Sequence, residues 1–554
     1  MFAVLSCQKE SKDLLIENAN VYTGSDKSAN TIVVDEGKII AIGMKEDLDL
    51  NGPFEQTIDA KGAFTMPGFI EGHGHFSGLG YSLIDLNFLK SKNWGEIVAM
   101  VQAEAQQLEK GTWIAGRGWH QEKWNEVPEQ NILGYPKHYS LSEVSKDHPV
   151  ILYHASGHSL YANELAMKAA GITKETPDPA GGLIVRDEDN EAIGVFEERA
   201  MTLIKDAYQE YLDSLSQDQL MDKWYLAIEK AEEECLKKGI TSFQDAGSLF
   251  EELDRYEDLA EAGELDLRLW AMARQRASEM ENIVGNYRKI GVGNNFFTCR
   301  AIKSEVDGAL GAYGAWLLKP YEDKEGWIGQ NTTTIYDVKR IADMAKKHDM
   351  QLCVHAIGDR ANRVVVDIFE GMIKQMPGVD HRWRVEHAQH LDPADIPRFA
   401  EHNIIASMQG IHCTSDAPFV VKRLGEKRAK EGAYAWRSLL DNGVIIANGT
   451  DAPVEDVDPL KSFYASVTRK REDNGMAFYT EQAMTRKEAI HSYTLGNAYA
   501  AFEDDFKGSL EEGKVADIVM LSNDLVTCSD EEILETEVLY TLVDGVVKYQ
   551  KDAN

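Results

Sequence analysis

The sequence predicts an α/β protein: a TIM-type (β/α)8 barrel carrying a large insertion, with a small β-sandwich built from both termini. Three observations predict it. From about residue 66 to 500, short apolar runs alternate with long helix-like segments, the pattern of parallel βαβ units. Both ends of the chain read instead as short strands separated by turns. The middle is also much longer than the roughly 250 residues a barrel needs. An insertion is therefore expected at about 77–238, where WNEVPEQN and TPDPAGG look like loop or lid segments.

The elements follow in order. Residues 1–12 are expected to be a disordered terminus or a lipoprotein tether, and 13–65 the first part of the sandwich. There Leu14 to Tyr22, Thr31 to Val34 and Lys38 to Ile42 are short strands, the last two joined at Glu36-Gly37. The barrel region, 66–500, shows helical segments from Tyr225 to Lys238 before GITSFQDA, from Tyr336 to His348 before QLCVHA, and from Arg486 to Ala501. Residues 501–554 return to β: Ala516 to Leu521, then Val538 to Val543 and Val546 to Tyr549 around Asp544-Gly545, a hairpin signal.

Composition excludes several classes. The 554 residues carry 58 Lys plus Arg against 92 Asp plus Glu, a formal net charge of −34. Acidity spread along the chain in this way repels phosphate backbones, so no nucleic-acid partner is expected. No run of about 20 apolar residues offers a membrane span. The six cysteines are scattered without a CxxC pair, so neither a disulfide framework nor a cysteine zinc knuckle is indicated. Cys7 is a separate case. MFAVLSCQ resembles the end of a bacterial lipoprotein signal lacking its basic region and most of its apolar region. A lipid anchor at Cys7 would place the chain in the cell envelope as a periplasmic or surface lipoprotein; otherwise it is cytoplasmic.

The informative pattern is a set of apolar runs that each end in a metal-ligand type. MPGFIEGHGHF places His73 and His75 two residues apart, on one face of a strand, where both imidazoles can reach one cation. Gly72 and Gly74 leave room beside them. CRAIKSEVDG presents Lys303, QLCVHAIGDRA His355, WRVEHAQH His387 and VIIANGTDAP Asp451. In a β/α barrel the C-terminal strand ends converge on one site. A single histidine after a strand is usually a surface or capping group; the ordered set is what points to a metal centre.

These residues resemble the amidohydrolase superfamily, and more narrowly its YtcJ-like branch, amidohydrolase family 3. The resemblance rests on PGFIEGHGH, GHSLYANELAMKAAGI, GVFEERA, GITSFQDAG, AIKSEVDGALGAYGAWLLKPYED, VHAIGDRAN, RVEHAQHL, NGTDAPVEDVDPL and GSLEEGKVADIVML, which span about residues 14–549. It implies a distorted barrel, one or two divalent metals, usually zinc, and hydrolysis of a C–N bond in a small molecule. A homodimer is expected on the same ground alone. By position, His73 and His75 would hold the more buried metal with Asp451, and His355 and His387 the second. Lys303 stands where binuclear members carry a carboxylated lysine. As a carbamate it would offer two anionic oxygens to the cations; its alternative is a plain cation pairing Glu305 or Asp307. Glu198, in GVFEERA, is the alternative metal carboxylate, disfavoured here because it reads as opening a helix.

The expected mechanism follows from the ions. Zinc lowers the pKa of bound water to about 7 and polarises a carbonyl. Asp451 would act as general base and then general acid toward the leaving nitrogen. His158 or Arg360 would steady the oxyanion, and His158, Asp307 and Arg360 would contact substrate. The ligand types accept iron, manganese or cobalt as well. Deacylation of an N-acyl or N-formyl amine is the first expectation. Ester or carbamate hydrolysis, and a non-catalytic ligand-binding lipoprotein, are the alternatives. No HExxH, GxSxG or Walker loop occurs, which removes zincins, serine hydrolases and P-loop enzymes. Trp113, Trp119 and Trp124 read either as a substrate wall or as core of the insertion.

Overall fold

The structure is a computed structural model that describes residues 12–24, 28–50, 52–126 and 128–552; Cys7 lies outside them. Eight parallel strands form one continuous sheet: β1 (Phe69–Gly74), β2 (Ile240–Ser248), β3 (Arg268–Ala273), β4 (Phe297–Glu305), β5 (Gln351–Ala356), β6 (Arg384–His387), β7 (Ile405–Gln409) and β8 (Ile446–Gly449). Each is pairwise adjacent to the next in chain order, as expected of a β/α barrel. Their residues are buried almost throughout, because parallel strands covered by helices have no solvent face. Register shifts interrupt the pairing of β2 with both neighbours and of β3 with β4. Small and bulky side chains fill the interior below the site: Ala246, Trp270, Met272, Ala301 and Cys353 pack against Ala501.

The sheet nearly closes where β1 meets β8, and side chains bridge the remaining seam. Thr450 donates its backbone N–H (2.6 Å) and hydroxyl (3.1 Å) to the buried carboxyl of Glu71. Asn497 donates to the carbonyls of Ile70 (2.6 Å) and Asn448 (2.7 Å), and the Asp451 N–H donates to His73 O at 2.8 Å. The glycines beside His73 serve this packing rather than room for ligands. A Cβ on Gly72 would lie 2.4 Å from Asn497 Oδ1, and one on Gly74 would lie 2.5 Å from the Phe243 ring.

Between β1 and β2 the chain builds a separate six-stranded sheet in the order 182–186, 192–198, 159–162, 150–154, 114–119, 86–87. Its alternating residues feed two cores. Ile114, Val150, Leu152 and Tyr161 pack on one face, and Ile151, Leu160 and Ala162 on the other. Trp119 and Trp113 belong to these two cores, and Trp124 packs against the first, so the tryptophans are structural and not a substrate wall.

At the ends, the strands Lys12–Glu17, Thr31–Asp35, Lys38–Gly43 and Phe54–Asp59 form a four-stranded sheet. A five-stranded sheet joins Asn20–Val21 and Phe64–Pro67 to Ile518–Leu521, Val538–Val543 and Val546–Gln550. The two sheets share an apolar core that includes Leu14, Ile32, Val34, Ile518 and Leu542. Arg268 on β3 ties them to the barrel. It is buried, makes paired bonds to Asp517 (2.8 and 3.1 Å), and donates to Asp544 at 2.8 Å.

Candidate metal centre and its cavity

All six expected ligand residues lie at the C-terminal ends of barrel strands. His73 stands on β1 with His75 just beyond it, and Lys303 on β4, His355 on β5 and His387 on β6 follow; Asp451 comes directly after β8. Asp451 is the hub. Its Oδ1 lies 3.3 Å from His75 Nε2 and 3.7 Å from His73 Nε2, and its Oδ2 lies 3.9 Å from His387 Nδ1. The His73 and His387 rings are 4.6 Å apart, and those of His355 and His387 4.5 Å. One ligand atom from each of His73, His387 and Asp451 lies within 4.8 Å of the other two. These groups border a cavity of about 1490 Å³, with His73 sealed behind its wall.

Three of the residues sit in left-handed backbone that side chains rarely adopt: His387 (φ 71°), Asp451 (φ 59°) and Glu198 (φ 48°). Such strain persists where surrounding structure enforces it, and it clusters at functional sites.

The imidazoles of His73, His355 and His387 are held neutral. Burial, then the nearby Lys303, pulls His73 down to about 4, and burial pulls His355 and His387 well below the usual range. Their lone pairs are thus free for a cation at neutral pH. Glu386 fixes the orientation of His73 by accepting at Nδ1, which turns Nε2 toward Asp451. Burial alone would raise the Glu386 carboxyl; Arg384, donating at 2.7 Å, and His73 hold it far below its ordinary value. Gln409 plays the corresponding part for His387, 2.8 Å from Nδ1.

Lys303 is buried, with Nζ 3.5 Å from His73 Nε2 and donating to Ala246 O at 3.2 Å. Neither of the acids expected to pair it does so. Glu305 takes Arg274 at 2.6 Å, and Asp307 takes the backbone N–H groups of Ile357, Gly358 and Trp316 at 2.7–2.9 Å. Asp307 is off the cavity wall and backs His355, whose Nε2 lies 3.7 Å from it. Arg360 is also off the wall. Its guanidinium donates to Leu317 O (2.9 Å) and Leu318 O (3.3 Å), so the structure does not bring it to substrate. His158 and Glu198 do line the cavity, 3.1 Å apart, and that pairing outweighs burial to lift His158 to about 9. Glu198 ends the strand Ala192–Glu198 and does not open a helix; the helix begins at Met201, after an intervening turn.

Sequence reading missed His412, which follows β7. Gln389 donates to its Nδ1 at 3.0 Å, so its proton sits on Nε2, 4.0 Å from Asp451 Oδ2. The Met-Gln-Gly-Ile-His run could have revealed it, since it too is an apolar strand ending near a histidine.

Buried polar atoms without partners test whether the donor set suits a metal. Asp451 Oδ1, His355 Nε2 and Glu198 Oε1 are all buried at this cavity with no hydrogen bond among the described residues. Buried polar groups are rarely left so, and nitrogen and carboxylate donors together suit zinc and its neighbours. The residues present therefore fit a divalent cation.

A family model described as an amidohydrolase family matches residues 56–549. The putative amidohydrolase YtcJ of Bacillus subtilis is 31% identical over 552 residues, covering 96% of this chain and 98% of its own. The chain belongs to the amidohydrolase family. Another relative, the N-substituted formamide deformylase of Arthrobacter pascens, is 26% identical over 561 residues, covering 98% of this chain and 99% of its own. Among solved structures, an uncharacterised metal-dependent hydrolase from Pyrococcus horikoshii OT3 matches with a TM-score of 0.74 and 26% identity, over 94% of this chain and 99% of that one. This amidohydrolase is accordingly a metal-dependent hydrolase acting on carbon–nitrogen bonds.

Proposed function

We propose that the protein hydrolyses an N-acyl or N-formyl amide of a small molecule. His73, His75 and Asp451 would hold one zinc ion and His355 and His387 a second, with Lys303, as a carbamate, supplying a further anionic ligand. The observation that carries this reading is the convergence of six ligand-type side chains on unpartnered buried atoms around Asp451. When bound, zinc supplies a Lewis acid and water that ionises near neutral pH.

The chain's own groups supply the rest. Asp451 is ionised, because His75, His387 and His73 outweigh its burial, so Oδ1 can take a proton from the attacking water and return it to the leaving nitrogen. His412 presents an Nε2–H without a partner, placed to donate to the oxygen that gains charge on the carbonyl. Glu386 and Gln409 keep His73 and His387 in fixed tautomers. Lys303 forms no ion pair with a carboxylate among the described residues. The same reading treats residues 13–65 and 501–554 as one β-sandwich and 77–238 as an insertion bordering the substrate cavity. The formyl preference draws on the deformylase relative.

The test combines metal analysis with one substitution. Protein purified without chelator, then reconstituted with zinc, is expected to hold one to two ions per chain by elemental mass spectrometry. On a panel of N-formyl and N-acetyl amines, Asp451→Asn is expected to lower kcat by about 10²–10⁴-fold. A metal-free protein after reconstitution, or a D451N variant with undiminished turnover, would sink the reading.

A further inference from the structure

The insertion sheet sends two charged residues into the barrel cavity, Glu198 and Arg117. Arg117, on the strand Ile114–Trp119, lines the same cavity as His75 and Asp451. Its guanidinium is held at two points by neutral backbone. Nη2 donates to Ala155 O at 2.7 Å and Nε to Pro453 O at 3.3 Å, leaving Nη1 and one hydrogen of Nη2 free. It forms no ion pair among the described residues. Burial pulls it down to about 10, and the charge of Asp451 is what chiefly supports it. A metal on Asp451 would draw off that support.

The surrounding wall agrees. In a chain with a net charge of −34, Lys205, Arg276 and Arg199 line this cavity and form no ion pair among the described residues. Unpaired cations on a cavity wall draw anions toward it. A guanidinium fixed by carbonyls at Nε and Nη2, with its remaining N–H groups free, matches a carboxylate.

We infer that Arg117 is the anchor for a carboxylate on the substrate, so that the amide hydrolysed belongs to an anionic molecule. This rests on the hydrolase reading and deepens it by assigning the substrate's charge. The carboxylate could sit on the amine side or the acyl side of the amide, and the experiment separates the two.

Metal-loaded wild-type protein is assayed against two matched pairs: N-acetyl-leucine with N-isopentylacetamide, and succinamic acid with butyramide. In at least one pair the carboxylate-bearing member is expected to show a kcat/KM about tenfold or more higher. In Arg117→Met the ratio within that pair should collapse by on the order of a hundredfold, with Arg117→Lys intermediate. Equal rates in both wild-type pairs overturn the proposal, as does an R117M variant that lowers both members alike, the mark of a merely structural arginine. Should R117M fail to fold, the wild-type ratios and R117K decide. If metal binds and no amide is cleaved, the hydrolase reading fails by itself. Calorimetric titration with N-acetyl-leucine then decides the anchor: binding that is lost in R117M at unchanged metal content supports it, and equal or absent binding in the two proteins overturns it.

Discussion

Glu386 touches no substrate, yet it governs the innermost imidazole. Arg384 and His73 share its two oxygens, so a single carboxylate sets a tautomer and neutralises a buried cation at once. Carboxylates behind metal-binding histidines usually contribute 10–100-fold in metal affinity. Glu386→Gln is therefore expected to weaken zinc by about that factor in a chelator competition, while His75→Ala, which leaves this chain of bonds intact, is expected to lose affinity without disturbing His73. An E386Q protein with wild-type affinity would remove Glu386 from that role. At this scale the sequence was most informative where the chemistry restricts residue type. Cation binding demands histidine, carboxylate or carbamate, and strand ends ration where they stand, so the gathering of His73, His75, Lys303, His355, His387 and Asp451 at the strand ends was legible. Glu386 could not, because it acts through His73, a neighbour brought close only by the fold. Arg360 was misread for the converse reason: a cation beside a ligand motif looks like a substrate group until its carbonyl partners are seen.

Among the elements, the helix Gln217–Lys237 shows how polar side chains act at a distance from the site. It opens with a capping box between Ser216 and Gln219 and turns Glu232 inward, where the carboxyl accepts the Asp266 N–H at 2.8 Å. Burial raises Glu232 from 4.5 to about 8. A carboxyl that is harder to ionise when folded binds its proton more tightly in the native state. Its contribution is complete below about pH 4.5 and fades as pH climbs toward 8. Glu232→Gln should flatten this part of the stability curve, gaining roughly 2–4 kcal/mol relative to wild type between pH 5 and 8.5 in denaturant titrations. Parallel slopes in the two proteins would refute the assignment. The expected helix at Tyr225 to Lys238 began too late: the first turn, Gln217 to Gln219, is polar, and Leu220, Met221 and Trp224 already carry the apolar spacing. The expected helix from Arg486 to Ala501 is two, Arg486–Tyr493 and Leu495–Ala500, broken at Thr494 (φ −128°, ψ −98°). Apolar spacing alone does not register such a break.

At the scale of the molecule, the buried cluster of Arg268, Asp517 and Asp544 joins the barrel to the terminal sheets. Removing the cation leaves Asp517 buried without compensation, which typically costs about 3–5 kcal/mol. Arg268→Met should lower the unfolding midpoint accordingly and speed amide exchange in Ile518–Leu521 ahead of β4 and β5. Uniform protection loss across the chain would show that the cluster is no local clasp. The β-rich ends were legible from their turns, above all Asp544-Gly545, and the barrel from its alternation. The six-stranded sheet of residues 86–198 was not, because its strands are short and mixed in direction, and its aromatic residues signal burial without saying in what.

The strand pairing of the termini also constrains how the chain is born. Met66 pairs with Val519, so the strand Phe64–Pro67 leaves the ribosome about 450 residues before its partner. At ordinary rates of synthesis that interval is roughly 20–90 s. β1, beside it, likewise waits for the whole six-stranded sheet to emerge before β2 can pair with it, and for β8 before the seam can close. Throughout this time the nascent chain presents unpaired apolar strand edges, the features that invite misassociation. The insertion, whose strands pair among themselves, can fold first and leave the barrel to close last around it, so that His73 and Asp451 meet only after β8 has emerged.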